Sequence, residues 1–93
     1  MAGLEAELRQ EMAASLGRVA GVIEDSIARC LALAAQAAAL PDGDEQRRVI
    51  ARHEEARERA REYLFYLVVQ REAIGLRNHD VIQHTYIVPP RLR

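Results

Sequence analysis

"EYLFYLVVQREAIGL" (residues 62–76) holds seven consecutive apolar residues, Tyr63 to Val69, in a chain whose preceding segment mixes charge and alanine. Set Leu67 toward a neighbouring helix and advance 100° per residue: Tyr63, Leu64, Gln70 and Ile74 stay within about 60° of it. Phe65 and Val69 fall almost directly opposite, and Leu76 extends the same line. One turn upstream that back face is Glu58 and Glu62. The helix therefore changes from one apolar side to two near residue 65. Both sides need cover.

Working outward, residues 62–76 close the second of two long helical segments. In the first, Leu8, Met12, Leu16, Val19, Ile23, Ile27, Cys30 and Ala34 step by four and three in an eleven-residue repeat, which suits a nearly straight helix. In the second, Val49, His53, Ala56, Ala60, Tyr63, Leu67, Gln70 and Ile74 form a heptad seam with polar interruptions. Pro41 and Gly43 separate them. Asp42 is placed to cap the second helix, with Glu45 completing a capping box. Gly75 followed by Leu76 reads as a Schellman stop.

The first helix is expected over about residues 4–40 and the second over about 44–74, antiparallel because their connection is short. Folding the chain there sets Ile23 near Tyr63, Val19 near Leu67 and Met12 near Ile74. Small residues, Ala34 and Ala37 among them, line the loop end. Beyond Gly75, a short helix over about 79–86, capped by Asn78, leads into an extended arm, 87–93, since a residue before proline avoids α geometry.

A lone hairpin of this size exposes most of its surface. Two covers for Phe65, Val69 and Leu76 suggest themselves: the tail, through Val81, Ile82, Tyr86, Ile87 and Val88, and a second copy of the chain. The tail has enough apolar content for one side, so both are expected, the tail over the hairpin mouth and a homodimer forming a four-helix bundle. A stripe of small residues on the back of the first helix, including Gly17 and Gly21, suits close approach of another backbone. Mid-helix glycine costs about 1 kcal/mol relative to alanine. The same stripe is also what an alanine-rich composition alone would produce.

Composition sets bounds. The chain has 93 residues, enough for a single domain, and a net charge of −1 from 13 basic and 14 acidic residues, which gives no long-range field to draw in DNA or an anionic membrane. Every basic residue is arginine. Cys30 is the one cysteine and lies on the apolar stripe, so a buried, reduced thiol is expected. The opening residues carry acids and no apolar h-region, so they read as no secretory leader, and the longest apolar run is too short to span a bilayer. A cytoplasmic protein follows.

Chemistry finds little foothold. His79 and His84 are about 140° apart around a helix, no Glu-x-x-His occurs, and seam residue His53 reads as a satisfied or partly exposed core histidine. Residues 46–62 mix six arginines with four glutamates, a solvated face laced by Glu54–Arg57, Glu55–Arg59 and Glu58–Arg61. Ser15 and Ser26 lie on the buried side without catalytic partners, and "PDGD" (41–44) is too acidic to cradle phosphate. No metal or cofactor is expected, and no enzyme activity. The most interesting polar group is Gln70, Arg71, Arg77, His79 and His84 at the end of the second helix. It reads first as a network pinning the tail, and second as a small anion or partner site. A helix-turn-helix over residues 76–86 is the regulatory alternative. Against it, Arg71 stands where such motifs need a small residue and His84 where they need an apolar one.

"VVQREAIGLRNHD" (68–80), the Tyr-x-Val-Pro-Pro at 86–90 and "LRQEMAASLGR" (8–18) together resemble a family of short bacterial helical proteins of uncharacterised function. The resemblance would cover most of the chain. It implies a cytosolic, bacterial, all-α protein and carries over no functional residue. The sequence thus describes a single all-α domain over 1–93: a helical hairpin with a short third helix and arm, dimeric, non-catalytic, and structural or adaptor-like. A small DNA-binding protein and a ligand-binding bundle are the alternatives.

Overall fold

The eleven-residue apolar repeat becomes one uninterrupted helix, α1 (Ala2–Ala39), in the computed structural model, which describes residues 2–92. The heptad seam becomes α2 (Asp44–Ala73), antiparallel to it, and a single short helix, α3 (Asp80–Thr85), follows. The molecule is an all-α hairpin measuring 63 × 22 × 15 Å.

Two apolar clusters hold the hairpin. Near the loop, Cys30, Leu33 and Ala37 of α1 meet Val49 and Ala56 of α2. Toward the middle, Ile23 packs with Leu67 and with Ile82 of α3, flanked by Leu16, Val19, Ile27 and Tyr63. The residues meeting there are those that antiparallel folding about the short connection brings opposite one another.

The helix ends show which local signals operate. Gly75, at φ 89°, closes α2: its N–H donates to Glu72 O at 3.0 Å and the Leu76 N–H to Arg71 O at 2.9 Å, the paired bonds of a Schellman stop. Asn78 Oδ1 accepts from the Asp80 N–H at 3.0 Å and so leads into α3. The expected capping box does not form. Gly43 is the N-cap of α2 with no side-chain bond, and Asp44 pairs with Arg47 instead of Asp42 capping the helix. Gln46 takes over the junction, with Nε2 donating to Ala37 O at 3.0 Å and Leu40 O at 3.2 Å. Leu40 O gains its partner from this side chain, and Ala37 O, which already accepts from the Leu40 N–H at 3.2 Å, gains a second.

The tail departs from expectation. It does not lie over Phe65 and Val69. Ile82 seats against Ile23 and Leu67, and the chain then runs along the groove between α1 and α2 toward the loop. Pro89 O accepts from Arg57 Nε at 3.0 Å, Arg91 pairs with Glu54 at 3.1 Å, and Leu92 packs on the loop-end cluster. The physical reason is the alanine content of α1. Ala34, Ala37 and Ala38 leave a shallow groove beside Gln46 and Ile50, and Leu92 borders it. Val81 and Ile87 face solvent.

One further structural feature is the overhang. α1 is eight residues longer than α2, and Met12 stands beside Ala73 and Ile74 at the end of α2. Residues 3–11 therefore run past the hairpin mouth, about 13 Å of helix at 1.5 Å per residue. Every residue from 3 to 14 is exposed.

Candidate functional site

The mouth of the hairpin brings together part of the nominated polar group. Arg71, in the last turn of α2, donates from a terminal guanidinium nitrogen to Asn78 O at 3.0 Å and from Nε to His79 Nδ1 at 3.5 Å. Arginine only donates, so Nδ1 accepts and the ring proton belongs on Nε2, which faces Glu72 Oε1 at 3.1 Å. Arg71, Glu72, Asn78 and His79 thus form one network that ties the tail to the end of α2. His79 is half-buried within it.

The other nominated residues stand apart. His84 Nδ1 lies 2.7 Å from Asp80 O within its own helix. Arg77 is exposed and borders a shallow concavity with Glu72. Gln70 turns the opposite way, into the seam, where Nε2 donates to Ser15 Oγ at 3.3 Å. Its Oε1 is buried without a partner, and Gln70 lines a groove of about 190 Å³ with Met12, Ser15, Leu16, Ala73 and Ile74. Ser15 therefore serves the other helix rather than its own backbone.

The apolar nominees lie on the outside. Phe65 is 65 % exposed, Val69 46 % and Leu76 43 %, with Tyr66 beside them bonding Glu62 at 2.8 Å. That bond holds the Tyr66 hydroxyl above its ordinary pKa. Leu4, Leu8 and Met12 expose a second apolar stripe along the overhang. The two stripes lie toward the same end of the molecule but on different faces of it. Gly17 and Gly21 make no close approach inside the chain, since a Cβ at either would meet nothing within 4 Å.

His53 is only 1 % exposed and neither ring nitrogen has a partner, so it is not the satisfied histidine its seam position suggested. Alanines at neighbouring seam positions let the helices close over it. Cys30 is fully buried and its thiol contacts His53 O at 3.8 Å; burial pushes that thiol's pKa up. Among the described residues no three potential metal ligands come together. No helix among the described residues is long and apolar enough to cross a membrane.

Sequence reasoning missed Arg57, which joins the tail to α2 through Pro89 and also meets Glu54 at 3.5 Å and Glu58 at 3.3 Å. Its pairing with Glu54 was legible from helix spacing; its bond to a backbone carbonyl 32 residues away carries no sequence signal. Glu58–Arg61 forms as spacing suggests, at 3.2 Å, whereas Arg59 lies over the Tyr63 ring, 4.9 Å from its centroid. Comparison with protein-family models, curated proteins and solved structures found no significant match.

Proposed function

We propose that this chain is a small, non-catalytic, adaptor-like helical protein that works as a homodimer in the cytoplasm. The observation that supports this reading is the exposure of Phe65 and Val69 on the back of α2, while the tail occupies a different face. Apolar surface is removed from water at about 25 cal/mol per Å², so a partner over this face is favoured. A second copy is always present where the first is. The near-neutral net charge suits self-association better than a nucleic-acid partner. Light scattering on the full chain tests the reading: about twice the chain mass is expected, and a monomer at high micromolar concentration refutes it.

A second reading rests on the unpartnered Gln70 Oε1 in its groove at the mouth. A small apolar molecule carrying one hydrogen-bond donor suits that groove if Gln70 turns its oxygen outward, and the protein then reads as a ligand-binding bundle. Screening small amides and alcohols by thermal shift tests it. Binding at 100 times Kd raises stability by about 2.7 kcal/mol, a readily measured change.

A further inference from the structure

The two exposed apolar stripes at the mouth have matching spacing. Leu4 and Leu8 lie four residues apart on the overhang of α1, as do Phe65 and Val69 on the back of α2. Each pair spans about 6 Å of helix axis. Within one chain they cannot meet. The overhang runs straight on past the end of α2, whereas Phe65 and Val69 lie upstream of that end and face away from α1.

The geometry points to a reciprocal clasp: the overhang of one protomer lies along the Phe65–Val69 face of the other. The inference rests on the dimeric reading and gives it a specific interface. Place two hairpins mouth to mouth about a two-fold axis normal to their length. The overhang then runs parallel to the partner's second helix. Leu4 meets the partner's Phe65, Leu8 meets the partner's Val69, and Met12 comes over the partner's Ala73 near the partner's Leu76. The operator generates the same contact in reverse, so the interface closes and leaves no free copy of either stripe.

A second copy is the favoured occupant for two reasons. Leu4, Leu8 and Met12 continue, at unbroken helical spacing, the stripe with which Leu16, Val19 and Ile23 pack inside the hairpin. The overhang is thus an intramolecular packing face that has outrun its own partner. The contact also occurs twice. A two-fold pair therefore removes twice as much surface from water as one helix-on-helix contact of that length does.

Two measurements on the full chain decide it, and both leave the hairpin intact because the altered side chains are exposed. Leu8→Asp should abolish the dimer by light scattering at tens of micromolar, with helicity unchanged, because it buries a carboxylate twice per assembly. A Leu8→Cys/Val69→Cys double variant should oxidise to a covalent dimer, while either single variant should not. A wild-type dimer that survives Leu8→Asp, or that cross-links through either single cysteine and not through the pair, overturns the clasp and spares dimerisation. A monomeric wild type overturns both.

Discussion

Arg57 Nε donates to Pro89 O at 3.0 Å, and that bond directs the tail of the chain away from Phe65. With Arg91 on Glu54 and Leu92 among the loop-end alanines, it fixes the tail along one groove of the hairpin. The back of α2 is left without a cover from its own chain. The tail thus completes the hairpin along one groove, while Phe65 and Val69 stay exposed on the back of α2.

Replacing Arg57 with Ala should loosen the tail at a cost of about 1.5–3 kcal/mol, the usual worth of a hydrogen bond with a charged donor. Limited trypsin cleavage after Arg91 should accelerate while the circular dichroism of the hairpin persists. An unchanged cleavage rate would mean that Leu92 and Ile82 hold the tail alone.

Phe65→Asp should reduce the assembly to single chains with helicity retained, because the side chain is mostly solvated in the isolated hairpin. Glu58→Lys, upstream of the apolar stretch, should leave the mass unchanged and cost only about 0.5–2 kcal/mol through its lost pairs with Arg57 and Arg61. Equal effects of the two variants would deny any special role to the back of α2.

His53→Leu should stabilise the fold. Two buried ring nitrogens without partners are removed, each costing about 1–3 kcal/mol when left unsatisfied, and the volume is roughly kept. The melting temperature should rise by several degrees in thermal denaturation. A fall would show that the imidazole makes a bond in solution.

Gly75→Ala should destabilise by about 1 kcal/mol, since φ is +89° there and a Cβ is strained in that region. Gly17→Ala should do the reverse, gaining about 1 kcal/mol of helix propensity, because a Cβ meets open space. A loss of dimer with Gly17→Ala would place the small-residue stripe in the interface.

Cys30 should resist thiol reagents at pH 8 in the native protein and react once urea unfolds it. Burial raises its pKa above the ordinary 9.0, so the unfolded chain releases this proton at lower pH than the folded one. Its contribution to stability is therefore fully present below about pH 9 and is lost as pH climbs from there toward the folded value. Denaturant melts across pH 7.5–10 should show that decline, and Cys30→Ala should remove the thiol's share of it.

The hairpin was legible because helical periodicity reports directly on which side chains share a face. Leu67, Ile23, Val49 and Cys30 are buried where their spacing placed them. Gly75 was legible because one backbone region needs glycine. The tail's route was not, since Arg57 to Pro89 is a side chain finding a carbonyl and any arginine on that face has the same sequence signature. Nor was the bare imidazole of His53, whose isolation depends on how closely alanine lets two helices approach. The mouth was legible in part: the two-sided oiliness of residues 63–69 stood out, whereas the overhang depends on the lengths of both helices and on the register between them.

The mass of the full chain in solution bears most directly on the claim that the hairpin mouth associates. Light scattering from tens to hundreds of micromolar should give twice the chain mass, falling toward one on dilution. A single-chain mass across that whole range would contradict it.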